Sequence, residues 1–382
     1  MHAYSAGAVV DPTRPYAEIW IGTHPSGPAL LRHSHASLAD FLVAGGEQPN
    51  LPYLLKILSV ASPLSIQAHP DKQLAERLHS DNPHAYKDDN HKPEMSVALT
   101  DFEGMCNFRP VADILADLEL RSELAALVGG KASLDALSNS SSSEDRRAAI
   151  HVVFSSLMSA SKEAVASALD ATVIAVKTAS ERSDADDLFL RLISYYPGDV
   201  GCFAAYLLNH IRISPGQAFF MAANEPHAYL KGQCVEIMAC SDNVVRAGLT
   251  PKFKDVSTLV KMLTYKDDPP KIMSGEKVDG CSVVYKPPVE EFQLTKTVVP
   301  SGSTYEITAA KGPGMIMVIG GQGWIGVLSG ERQKPESRLP LQPGSVYYVA
   351  DSTRIYIEAD HAMAADAPSP DLLFFRANIN QD

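Results

Sequence analysis

Four residues of this 382-residue chain have the chemistry of a metal shell. Gln67 and His69 stand two apart in SIQAHPDK, so an extended strand turns both side chains to one face. Glu94 follows in NHKPEM, after a helical-looking run and a polar loop, and His227 lies far downstream in NEPHAYL. Two imidazoles, an amide and a carboxylate suit a divalent cation such as zinc, provided that a fold gathers them. A histidine on a strand is more often a surface or satisfied side chain, so the four residues by themselves are modest evidence.

The strings around them are more specific. SIQAHPDK and NHKPEM, together with PYAEIWIGTHPSGP from Pro15 and VEIMACSDNVVRAGLTPKFKDV from Val235, resemble the type I mannose-6-phosphate isomerase (phosphomannose isomerase) family. The matches run in family order with similar spacing between about Pro15 and Val256. The resemblance implies interconversion of mannose 6-phosphate and fructose 6-phosphate through an enediol, feeding GDP-mannose synthesis. It implies one Zn2+ per chain, held by Gln67, His69, Glu94 and His227. A neutral glutamine among the ligands keeps more positive charge on the metal, which suits a Lewis acid.

By the same resemblance, Arg246 in NVVRAGLTPK stands beside the reacting carbons or the phosphate, where a fixed planar cation suits oxyanions. The competing reading pairs Arg246 with Asp242. Lys252, Lys56 and Ser65 are expected at the phosphate, with Tyr229 and Asp242 as further substrate contacts. Glu236 is the chosen base, in catalytic company with Arg246 and Lys92. Lys92, Asp242 and Tyr229 lie in the matched motifs too, so which group moves the proton stays open. His24, His33, His35, His84 and His91 receive no role, and most are expected at the surface.

Two other functions fit parts of the pattern. Two histidines and a carboxylate serve iron in cupin oxygenases as well, but such chemistry on an apolar substrate needs no phosphate cations such as Lys56, Arg246 and Lys252. A non-catalytic sugar-phosphate-binding cupin would need the cations but not the base. Composition narrows the field further. A net charge of −12 argues against a general nucleic-acid binder. No apolar run reaches about 18 residues, so no membrane span is expected. The N-terminus shows no secretory pattern, and five scattered cysteines without a CxxC pair suit a reducing cytosol. The reading is a cytoplasmic monomer that takes a small sugar phosphate.

The elements that must position these residues are mainly β, with an α-helical insertion: two cupin-type jelly-roll barrels plus one helical domain. Residues 1–110 with 209–265 form the expected catalytic cupin domain, 111–208 the helical insertion and 266–382 the C-terminal jelly roll. Strands are expected at 18–23, 54–60, 95–99 and 235–239, a short helix at 37–43 capped by Ser37, and helical turns at 72–79 and 257–263. Lys56 interrupts the apolar run 54–60, which is costly unless it is paired or lines a cavity. Apolar residues at i, i+3, i+4 and i+7 from Val111 predict a helix, and 150–158, 161–169 and 187–195 continue the pattern around a polar loop at 138–144. Pro-Gly turns before apolar strands in ISPGQAFFMAANEPHAYL and LQPGSVYYVA predict hairpin-rich β-structure. Gly321, Gly323 and Gly326 fit GxGxxG, but the strand-rich surroundings make this a turn. The family usually opens with a Tyr-x-Trp-Gly strand. Residues 1–13 hold nothing similar, which is expected to leave a sheet edge exposed.

Overall fold

The computed structural model describes residues 18–309, 312–330, 332–361 and 370–380. The expectation about the opening strand lies outside them. Residues 18–110 give strand β1 (Ile19–Ile21), helix α1 (Leu38–Ala44), β2 (Tyr53–Val60), β3 (Ile66–Ala68), α2 (Lys72–Asp81), β4 (Glu94–Ala98) and β5 (Phe102–Phe108). Ser37 caps α1 by accepting from the Asp40 amide, as its position predicts. Six helices follow: α3 (Val111–Leu120), α4 (Ser122–Leu127), α5 (Lys131–Ser138), α6 (Ser143–Ser159), α7 (Lys162–Thr178) and α8 (Asp184–Tyr195), then a 3-10 helix at Val200–Tyr206. Strands return with β6 (Leu208–Ile213), β7 (Ala218–Met221), β8 (His227–Ala239), β9 (Val245–Gly248) and β10 (Ile272–Met273), with α9 (Val256–Met262) between the last two.

Most differences from the sequence reading are helix ends. Helix α8 begins three residues earlier than its apolar period suggests, because Ser183 and Asp186 form a reciprocal capping box. The polar stretch 138–144 is not one loop: α5 runs through Ser138, and a second capping box, Ser142 with Asp145, starts α6 at Ser143. Serine-rich composition reads as a linker, yet the same serines are good helix caps.

Strand β8 is the spine. Its second half pairs with β2 and β4, and its first half pairs with β3 and β5, so one strand serves two faces of the ten-stranded assembly. Strict alternation would put Tyr229 and Glu236 on opposite faces. Gly232 lies between them at φ 111°, a conformation that a side chain would strain, and a Cβ there would meet the Asp101 carbonyl at 2.5 Å. The break lets both residues reach one interior.

Along β3, Ile66 and Ala68 pack on the helices, and along β9 Val245 and Ala247 do the same. Gln67 and Arg246, the residues in between, therefore turn to the other side. The base of β9 meets the 3-10 helix without clearance: a Cβ on Gly248 would lie 2.5 Å from the Gly201 Cα. Asp199 ties the two together by accepting from the Gly201, Leu249 and Thr250 amides.

The C-terminal strands are β11 (Glu276–Lys277), β12 (Ser282–Tyr285), β13 (Gln293–Val299), β14 (Thr304–Ile307), β15 (Gly314–Gly320), β16 (Gly323–Val327), β17 (Leu339–Leu341), β18 (Val346–Val349), β19 (Ile355–Ala359) and β20 (Leu372–Asn378). They form a six-stranded sheet, β11-β12-β13-β20-β15-β18, and a four-stranded one, β14-β19-β16-β17. The glycine triplet falls at the β15–β16 turn and inside β16, as the turn reading expects. The six-stranded sheet packs on the outer face of β2, β4 and β8 through one continuous core that includes Tyr53, Met95, Ile237, Phe292 and Phe375. Among the described residues no helix is long and apolar enough to cross a membrane, and all five cysteines are free.

Candidate metal centre and its surroundings

His69, just past β3, Glu94, the first residue of β4, and His227, the first of β8, converge in the interior. All three are buried, and one donor atom from each lies within 4.8 Å of the others. Glu94 Oε2 stands 3.4 Å from His69 Nε2 and 3.2 Å from His227 Nε2. These three atoms, Glu94 Oε2 and both Nε2, have no hydrogen-bond partner among the described residues. Buried polar atoms left without partners are costly, and three aimed at one point suit a cation.

The rest of each imidazole supports this. His69 Nδ1 lies 2.6 Å from the Asn243 carbonyl and His227 Nδ1 3.3 Å from the Glu225 carbonyl. A carbonyl only accepts, so each Nδ1 carries the proton and each Nε2 offers a lone pair. Burial pushes the His69 imidazole down to about 4, against the pull of Glu94. It is therefore neutral, as a ligand must be. Burial works against ionising Glu94, but the Lys92 ammonium outweighs it and holds the carboxyl well below its usual range.

Gln67 joins their face by register. Its cross-strand partners are His227 on β8 and Arg246 on β9, and directly paired residues share a face. The structure thus brings His69, Glu94 and His227 into direct proximity and puts Gln67 and Arg246 on the same face.

Beside the metal shell runs a ladder across β1, β2, β8 and β4: Trp20, Lys56, Glu236 and Ser96 are successive register partners. The buried Lys56 Nζ lies 3.2 Å from Glu236 Oε2 and 3.6 Å from Glu18 Oε2, and 4.8 Å from the centre of the Trp20 ring. Burial would lower its pKa, but Glu236 and Glu18 outweigh that and hold it above the usual lysine value. Tyr229 donates to Glu236 Oε1 at 2.6 Å, and Ser96 Oγ is 2.6 Å from the same hydroxyl. Burial, then Glu236, raises Tyr229 far above its ordinary value, so the phenol stays protonated. Lys92 Nζ stands 3.1 Å from Glu94 Oε1.

Arg246 makes no ion pair among the described residues. Its supposed partner Asp242 instead faces His24 Nε2 at 3.5 Å and accepts from Ser26 Oγ at 3.1 Å. Ser65 is half-buried just ahead of β3, and Lys252 is exposed on the turn after β9. The expectation that the unassigned histidines lie at the surface holds for His33, His35 and His84 but not for His24 or His91. His24 is 3% exposed, packed edge-on against Trp20. Sequence reasoning also missed Asn243. Its side chain donates to the Asp88 and Asn90 carbonyls, which fixes the carbonyl that orients His69. A backbone acceptor has no signature in residue type.

The family described as phosphomannose isomerase type I, catalytic domain, matches residues 1–111, and its helical insertion domain matches 127–208. Mannose-6-phosphate isomerase of Homo sapiens is 40% identical over 97% of this chain and 90% of its own length. The chain belongs to the type I phosphomannose isomerase family. Mannose-6-phosphate isomerase 1 of Arabidopsis thaliana is 37% identical over 100% of this chain and 88% of its own. Among solved structures, a zinc-bound mannose 6-phosphate isomerase superposes with a TM-score of 0.80 at 27% identity, covering 98% of this chain and 93% of its own. The apo enzyme from Salmonella typhimurium gives 0.79 at 27%, over 96% and 92%. The phosphomannose isomerase fold is thus shared along nearly the whole length.

Proposed function

We propose that this chain is a zinc-dependent aldose–ketose isomerase that interconverts mannose 6-phosphate and fructose 6-phosphate, with Gln67, His69, Glu94 and His227 as the metal ligands. The observation that carries the reading is the convergence of three unpartnered buried donor atoms whose tautomers are already set for a cation. Bound zinc would supply a Lewis acid for the developing enediolate.

The chain's own groups divide the remaining work. Glu236 moves the proton between C2 and C1. Tyr229 holds one of its oxygens and Lys56 the other, so the carboxylate is fixed in direction. Lys56 has two carboxylates beside it, which favours a role in orienting Glu236 over the phosphate contact that the resemblance implies. Arg246, with no ion pair among the described residues and on the face of Gln67 and His227, receives the substrate's oxyanion or phosphate. Lys252 and Ser65 contact the phosphate, Lys92 a sugar hydroxyl beside Glu94, and Asp242, held by His24, another. The chain acts as a monomer in this reading, and the free cysteines suit the cytoplasm.

The test is a coupled assay for fructose 6-phosphate formed from mannose 6-phosphate, before and after verified metal removal. Turnover should vanish with the metal and return with zinc. Undiminished turnover of metal-free protein would remove the metal from the reaction. Iron in place of zinc, with oxygen uptake, would favour the oxygenase reading.

A further inference from the structure

The histidine that precedes Lys92 is held from the far end of the chain. His91 Nε2 makes a short contact with Glu291 Oε1, two hundred residues downstream. Glu291 lies between β12 and β13, and its neighbour Phe292 is fully buried in the core beneath the catalytic sheet. Asn380, just past β20, pins the approach to it: its side chain donates to the Pro287 carbonyl at 3.0 Å and the Val289 carbonyl at 2.7 Å. The Asn380 amide donates to the Glu290 carbonyl at 3.1 Å. Glu291 is thus presented from a braced segment.

On the other side, His91 leads directly into Lys92, whose Nζ is 3.1 Å from Glu94 Oε1. Pro93 ties the same corner to β8, its carbonyl accepting from the Ala239 amide at 3.1 Å. Both partners of the His91–Glu291 contact are about a quarter exposed, at 23% and 24% of their side chains. A pair so near solvent contributes little to folding. A displaced group in a reacting site, by contrast, costs rate steeply.

We propose that Glu291 is a positioning residue for the isomerisation: through His91 it sets the Lys92 corner of the site, so the C-terminal β-region takes part in catalysis without touching substrate. This rests on the function proposed above. The test uses the full chain loaded with zinc, with Glu291→Ala, His91→Ala, the double variant and Glu291→Gln assayed for mannose 6-phosphate turnover.

Glu291→Ala should lower kcat roughly tenfold while KM moves less than about twofold. Zinc content and melting temperature should stay at the wild-type values. Glu291→Gln, which keeps an acceptor for His91, should recover most of the loss. Because Glu291 acts through His91, its removal should cost nothing more once His91 is alanine. Wild-type kcat in Glu291→Ala, losses that multiply in the double variant, or a loss that tracks zinc or melting would each overturn the inference. An inactive wild type overturns the functional reading and this inference with it, whereas an active wild type with an unaffected Glu291→Ala overturns only the inference.

Discussion

Replacing Lys56 by methionine keeps the stem and removes the charge that sits between Glu236 and Glu18. At an effective dielectric of about 20, the 3.2 Å separation from Glu236 corresponds to a gross attraction of about 5 kcal/mol. Glu18 at 3.6 Å adds less, because its side chain is 37% exposed and screened. Much of the attraction offsets the cost of burying the charges, so the net worth of the pair is small, but breaking it strands the Glu236 carboxylate, whose side chain is 4% exposed. Losses of about 3–5 kcal/mol are usual for that. At about 2 °C per kcal/mol for a chain of this size, Lys56→Met should melt about 6–10 °C lower. Adding Glu236→Gln should restore more than half of the loss, since the stranded charge is then gone. Differential scanning fluorimetry at neutral pH reads both shifts. Because Lys56 is raised above its ordinary pKa, its contribution is fully present at neutral pH and is lost only as strongly alkaline pH strips the proton. A fall below about 2 °C in the single variant, or a double variant that melts at the sum of the two losses, would refute the reasoning.

Three further outcomes follow from the same geometry. His227→Ala should lose bound zinc, measured by elemental analysis, along with turnover, because it removes one of the three converging donor atoms. Arg246→Ala should keep the metal and lose about 10²–10³ in kcat/KM, as is usual when a charge-stabilising donor is removed, and full activity would end its cation role. Burial lowers the His24 imidazole below its ordinary value in spite of Asp242. Protonating it therefore works against the fold, and that cost grows as pH falls below about 6.5. Imidazole NMR should show His24 titrating below the ordinary histidine value, and a midpoint at or above it would refute this.

The helical insertion was legible because its apolar period switches from two to between three and four residues at Val111, and periodicity survives without any tertiary context. The motif strings around Gln67, Glu94, His227 and Arg246 were legible for a different reason, since they match those of a known family in order and spacing. The ends of α6 and α8 were lost to serine-rich composition, which reads equally as linker and as cap. The face of Arg246 could have been read from its apolar neighbours Val245 and Ala247, but which helices they cover could not.

Residue types, motif strings and spacing by themselves offered candidate cation ligands and showed which stretches are helix or strand, because these are local properties of the chain. Only the tertiary structure decided how Lys56 is compensated, since Glu236 reaches it from β8 and Glu18 from the residue ahead of β1. It also decided that Asp242 faces His24 and leaves Arg246 open, and that the His91 corner leans on Glu291. Each is a contact between side chains distant along the chain, which no pairwise spacing encodes.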